Sequence, residues 1–186
     1  YDGKTFIMEE MEGLNFKINA KSFFQTNTEQ AYELYKITRD FAGLKGKELV
    51  YDLYTGTGTI AQFIAKDCNR VVGVESVPEA IEAANTNAKE NGIKNAFFEV
   101  GDMRRVFNQD FINRHGKADV VIADPPRNGM HPAVVKQLLF LQPEKIVYVS
   151  CNPSTQARDL FLMKDHYKLV RSKAIDLFPQ TQHVEN

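Results

Sequence analysis

Four short stretches carry side chains able to do chemistry. Ser150-Cys151-Asn152-Pro153 sets a thiol directly after the apolar run Lys145 to Val149. A thiolate is a strong nucleophile. The alternative for Cys151 is a small core residue, because free cysteine is among the most buried residue types. Cys68, beside Asn69 at a helix end, is read in that second way. Asp124-Pro125-Pro126-Arg127 follows another apolar run, Val120 to Ala123. Its prolines remove backbone donors and fix the turn, so the Asp124 carboxylate is presented in a set geometry. Arg127 adds a donor fork suited to phosphate or a carbonyl-like oxygen. Phe178-Pro179-Gln180-Thr181-Gln182-His183-Val184-Glu185 brings an imidazole and a carboxylate together near the end of the sequence. Taken alone, Glu185 would be a solvated group and His183 a structural hydrogen-bonder.

The remaining stretch is Asp52-Leu53-Tyr54-Thr55-Gly56-Thr57-Gly58-Thr59-Ile60. Gly56 and Gly58 let backbone approach a ligand closely, and with Ala61 they satisfy the dinucleotide pattern G-x-G-x-x-A. The acids argue for a different ligand. Asp52 precedes the loop, Glu75 ends the next strand and Asp102 follows Gly101 after the third. Glu75 can accept from ribose hydroxyls, and Asp102 can accept from an adenine amine. Such a negative cradle repels a pyrophosphate and suits the cation S-adenosylmethionine.

The elements that must position these groups alternate regularly. Residues 5–18 suggest a β-hairpin around Glu12-Gly13, and Ser22 to Asn27 a polar-aromatic loop. Thr28 is the expected N-cap of a helix through Phe41. Strands are expected at Leu49 to Leu53, Val71 to Glu75, Ala96 to Val100, Ala118 to Ala123, Lys145 to Val149 and Leu169 to Ile175. Helices are expected from the glycine loop to Lys66, from Pro78 to Glu90, from His131 to Leu141 and from Ser154 to Lys164. This is an α/β pattern: a doubly wound, parallel, Rossmann-like sheet with a short N-terminal hairpin and helix extension. The extension covers 1–46 and the catalytic domain 47–186. In such sheets ligands sit just outside the carboxyl ends of the strands, where all four stretches fall.

At 186 residues and 43% hydrophobic content, the chain has enough apolar mass for one domain. A net charge of −1 gives no global field for nucleic acid, so phosphate contact must be local. Arg158, Lys164, Lys168, Arg171 and Lys173 form a broken basic stretch that reads either as a phosphate track or as a solvated face. Two distant cysteines fit neither a disulfide scaffold nor a metal site and point to a reducing cytoplasm. No apolar run suits a membrane, and a monomer is expected. Tyr1 is not a start methionine, and His183 to Asn186 reads as the entry to a strand. A fragment of a longer protein is therefore expected, with Glu185 the site residue most open to displacement.

Together with Phe23-Phe24-Gln25-Thr26-Asn27, these motifs resemble the S-adenosylmethionine-dependent RNA uracil-5-methyltransferases, which make 5-methyluridine in tRNA and rRNA. The resemblance spans nearly the whole sequence, in order. It implies that Cys151 is the nucleophile and Glu185 the general base. It also implies that Gln25, Tyr54, Glu75, Asp102 and Asp124 lie at the cofactor. Two departures stand out: Tyr54-Thr55-Gly56 where the family often has Phe-Cys-Gly, and Thr59 where many members have Asn. Asp52, Gly56, Gly58 and Thr59 complete the expected cofactor-binding set. Asp124 and Arg127 join the catalytic set, Arg127 as donor to an enolate oxygen. The resemblance further implies an RNA substrate and an N-terminal RNA-binding domain outside this sequence. Rival readings are an amino-group methyltransferase, which would have an aromatic at Arg127 and no use for Cys151, an NAD-dependent oxidoreductase, and a non-catalytic RNA- or cofactor-binding module.

Overall fold

The computed structural model describes residues 6–19, 25 and 27–186. A hairpin of β1 (Phe6–Met11) and β2 (Leu14–Asn19) precedes helix α1 (Thr28–Ala42). The alternating part runs β3 (Leu49–Leu53), α2 (Thr59–Ile64), β4 (Arg70–Glu75), α3 (Pro78–Glu90), β5 (Ala96–Val100), α4 (Gln109–His115), β6 (Val120–Ala123), α5 (Pro132–Leu141), β7 (Lys145–Tyr148) and α6 (Pro153–Met163). The five strands β3 to β7 pair parallel in the order β5-β4-β3-β6-β7. The order reverses between β3 and β6, which opens a crevice at their carboxyl ends.

Two-residue alternation along the strands builds a core on each face. Val50, Val71, Val120 and Ile122 meet α1 and α2 on one side. Tyr51, Leu53, Val72, Val74, Val121 and Ala123 meet α4, α5 and α6 on the other. The hairpin and α1 add Met11, Phe16, Ala31, Leu34 and Tyr35 to the first core. The edge of β2 is covered by side chains one turn apart on α3. Asn87 and Asn91 each accept from and donate to the β2 backbone at Lys17 and Asn15. Paired in this way, the edge offers fewer free backbone groups to another chain. The hairpin turn at Glu12 is held by Arg39 and Lys66, which keep its carboxyl well below the usual range.

Several boundaries differ from the sequence expectation, each for a local reason. Asn27, not Thr28, caps α1, because its carboxamide accepts the Gln30 N–H at 3.2 Å while Thr28 bonds Glu9. Helix α2 tightens at Ala65–Asp67 into a single 3₁₀ turn, one residue beyond the expected end at Lys66. β6 starts at Val120 rather than Ala118, because the Asp119 side chain accepts from Leu49 N–H in place of a ladder carbonyl. Helix α4 was not anticipated; its signal is Asn108, whose side chain accepts from Phe111 N–H.

The expected strand Leu169 to Ile175 does not form. Leu169 and Val170 are exposed, and only Ile175 finds a ladder partner, in a single antiparallel bridge to Glu185. Alternating apolar character without a paired neighbour leaves the stretch irregular. Of the expected polar-aromatic loop, Ser22, Phe23, Phe24 and Thr26 lie outside the described residues. No described helix is long and apolar enough to cross a membrane.

Candidate active site

The crevice at the switch point opens into a cleft lined by Gln25, Tyr35, Asp52, Tyr54, Thr55, Gly56, Thr57, Thr59, Ile60 and Asp124. Thus Gln25, Asp52, Tyr54, Gly56, Thr59 and Asp124 of the expected set share one wall. Gly58 stands behind it, at the start of α2 with φ +75°. A Cβ there would lie 2.6 Å from the Phe98 ring, so the close approach of loop to sheet requires glycine. Tyr54 also adopts positive φ (62°), an uncommon conformation for an aromatic residue that turns the chain out of β3. Glu75 is tied to the loop: its Oε2 accepts from Gly56 N–H at 3.3 Å, and its Oε1 from Ser76 and Val77. Asp102 is not among the cleft's lining residues, and its carboxylate pairs with the Arg104 guanidinium at 2.7 Å. That pair pulls its carboxyl down to about 2.

The cleft holds unspent acceptors. Asp52 is 1% exposed, and its Oδ2 accepts from the Thr55 hydroxyl. Its Oδ1 has no donor, and neither does the buried Oε1 of Gln25. A buried acceptor without a donor costs free energy on the order of 1–3 kcal/mol. Burial pushes the Asp52 carboxyl up to about 7, with Asp124 and Glu75 adding to the rise. The Asp124 carboxyl rises to about 6 through desolvation alone. These walls fit a ligand that brings N–H donors and positive charge, and they disfavour a pyrophosphate.

Beyond Asp124 lies the thiol. Asn152 caps α6 by accepting from Ser154 N–H, and Pro153 occupies the first helical position. Cys151 therefore sits one residue ahead of a helix N-terminus, whose dipole favours a thiolate. The Ser150 and Asn186 backbones exchange hydrogen bonds of 2.9 Å in both directions. Antiparallel pairing there sets Glu185 opposite Cys151. Glu185 is 3% exposed and is held by two backbone bonds to Ile175, so the displacement anticipated for it is not seen. Burial and the nearby Asp124 push its carboxyl up to about 7, while Arg127 opposes the rise. The Cys151 thiol is pushed up by burial, Glu185 and Asp124, and Arg127 again opposes. Four groups from two strand ends and the C-terminal segment thus share one electrostatic neighbourhood. Arg127 is exposed and donates to His183 Nδ1 at 2.7 Å.

Sequence reasoning missed two residues. Tyr35, on the buried face of α1, lines the cleft; burial pushes its hydroxyl well above the usual tyrosine range, and Asp124, Asp52 and Glu185 add to the rise. Asp159 read as an interruption in a basic stretch, yet it is fully buried. That stretch is partly spent inside the molecule. Arg158 bonds Asp159, Arg171 bonds Asp40 at 2.7 Å, and Lys164 lies over the Phe161 ring. Lys168 and Lys173 are exposed.

The reversed strand order, the glycine turn and the acid-lined cleft define a doubly wound, Rossmann-like domain of the methyltransferase type. Residues 5–186 match the tRNA (uracil-5-)-methyltransferase family, and the chain belongs to that family. Two relatives named as uncharacterized RNA methyltransferases are closely similar. One, from Bacteroides thetaiotaomicron, is 61% identical over 100% of this chain. The other, from Porphyromonas gingivalis, is 62% identical over 100% of it. The chain spans only 41% and 40% of their lengths. The solved tRNA (uracil-54, C5)-methyltransferase of Pyrococcus abyssi, in complex with S-adenosyl-L-homocysteine, superposes with a TM-score of 0.86 at 40% identity. That superposition covers 98% of this chain and 43% of that one.

Proposed function

We propose that this domain transfers a methyl group from S-adenosylmethionine to C5 of a uridine in tRNA or rRNA, through a covalent bond between Cys151 and uracil C6. The observation that carries the reading is the meeting of Cys151, Glu185, Asp124 and Arg127 beside a cleft with unsatisfied acceptors. Family membership and the likeness to a tRNA uracil methyltransferase support it. Asp52, Gln25, Asp124 and the Tyr54–Thr59 loop would hold the cofactor, with Glu75 behind the loop. When bound, S-adenosylmethionine supplies an electrophilic methyl group on a sulfonium. The protein's task is to make uracil C5 nucleophilic and then to release it.

Cys151 does the first part. After loss of its proton to solvent, its thiolate adds to C6, breaking the C5–C6 double bond and moving electron density onto C5 and the O4 enolate. Arg127, whose charge is felt by both Cys151 and Glu185, would stabilise the oxyanion once it leaves His183. Once C5 carries its methyl group, Glu185 takes the C5 proton. The electrons re-form the C5–C6 double bond and expel the Cys151 thiolate. A carboxyl held near 7 is poised for proton transfer at neutral pH. The base must leave its stack to reach the thiol, which requires flipping or an unpaired loop.

Glu185→Gln tests this order of events. With uridine-containing RNA, the full-length variant should methylate the base yet keep it attached to protein. A denaturing gel would then show a covalent protein–RNA band carrying labelled methyl. Normal turnover by that variant would remove Glu185 from the role of base.

A further inference from the structure

The loop that carries Asp124 and Arg127 is poor in its own donors. Pro125 and Pro126 have no N–H, and within the loop Gly129 N–H closes a turn on Pro126 O at 2.7 Å. What fixes the loop comes from the segment that begins at the nucleophile. Asn152 Nδ2 and Thr155 Oγ1 both donate to the carbonyl of Arg127, at 3.0 and 3.1 Å. Arg158 Nη2 donates to the carbonyl of Asn128 at 2.9 Å. Asp159 takes a further loop donor, Met130 N–H, at 2.7 Å.

Asp159 is the hub of this arrangement. It is 0% exposed and every lone-pair direction is used. Its Oδ2 accepts from Met130 N–H and from the Tyr148 hydroxyl at the end of β7, both at 2.7 Å. Its Oδ1 accepts Nε and Nη2 of Arg158, at 2.9 and 2.7 Å, and so aims that guanidinium at the loop carbonyls. The fit leaves no spare room. Gly129 has φ +73°, and a Cβ on it would come within 2.6 Å of the Asp159 carboxylate and 2.7 Å of Arg158 Nη2. The cofactor cleft shares no residue with this hub, apart from Asp124 at the loop's start.

We propose that Asp159 is a positioning residue for the reaction, locking the Asp124–Met130 loop to α6 so that Arg127 and Cys151 move as one body. The inference rests on the reading of Cys151 as nucleophile. It acts chiefly on the chemical step, because its hydrogen bonds go to the transfer side of the site and, of the cleft's lining, only Asp124 belongs to the loop it holds. A misplacement of about 1 Å at a reacting group can cost on the order of 10²-fold in rate.

The test measures the rate of covalent adduct formation with 5-fluorouridine RNA and, separately, the affinity for S-adenosyl-L-homocysteine, in the full-length protein. Asp159→Asn should slow adduct formation about 100-fold, with the affinity within about twofold of wild type. Arg158→Gln alters an exposed side chain of a folded helix and should slow it about tenfold by the same route, so the inference survives an Asp159 variant that fails to fold. Wild-type rates in folded variants would overturn it. So would equal losses in rate and in affinity, which would make Asp159 a fold residue only. No adduct with wild-type protein would instead remove the nucleophile reading, and this inference with it.

Discussion

The two halves of the site solve opposite problems. The cleft between β3 and β6 leaves buried acceptors unsatisfied at Asp52 and Gln25 and keeps carboxyls high in pKa. Across Asp124, the loop and helix around Cys151 use their polar groups internally, through Asn152, Thr155, Arg158 and Asp159. The first half is built to be completed by a ligand. The second is built to hold groups still. Binding energy is therefore expected to reside in the cleft and rate in the clamp, and the two should respond separately to mutation.

The largest separation should come from Cys151→Ala. It should abolish turnover, by more than about 10⁴-fold, while calorimetry finds S-adenosyl-L-homocysteine bound as in wild type. The reverse is expected of Asp52→Asn. Loss of a charged acceptor worth about 2–3 kcal/mol should weaken cofactor binding by about 30- to 150-fold. The same variant should unfold at a higher temperature than wild type at pH 8, and the difference should shrink as pH falls and vanish below about pH 4, where Asp52 is protonated in the unfolded chain as well.

A pH series sharpens the contrast further. Asp52, Asp124 and Glu185 have folded-state pKa values near 7, 6 and 7, above their ordinary values of 3.8, 3.8 and 4.5. The native state thus binds more protons than the unfolded one between about pH 3.8 and 7. Ligand-free stability should then fall as pH rises through that window. Affinity for the cationic cofactor should move the other way, rising with pH as the same carboxyls ionise, with protons released on binding. Parallel trends in a differential scanning series and a titration series would contradict this. The smallest effect is expected from His183→Ala. It frees Arg127 from one hydrogen bond and should change kcat by about two- to fivefold without altering cofactor affinity.

The sheet and its strand-end residues were legible because each strand is a short apolar run closed by Gly, Pro or an acid. The start of α3 at Pro78 and the span of β5 were read to the residue. The site was legible where chemistry and turn signals coincide, as at Gly56-Thr57-Gly58 and Asn152-Pro153. It was illegible where burial is decided by distant partners. Arg158-Asp159 is indistinguishable in sequence from a surface pair; Tyr148, Met130 and Gly129 make it a buried hub. Asp102, expected as a cofactor acid, also pairs with Arg104 two residues on, a local contact that no strand or turn signal announces. Leu169 to Ile175 has strand-like residues, and a strand also needs a neighbour.

The central claim is that Cys151 bonds to the target base. Fluorine at C5 cannot leave as a proton, so RNA containing 5-fluorouridine should trap the bond after methyl transfer. Intact mass of the denatured full-length protein, followed by peptide mapping, should find RNA plus one methyl group attached at Cys151, and only when S-adenosylmethionine is supplied. An active enzyme that gives no adduct, or an adduct on any other residue, would contradict the account.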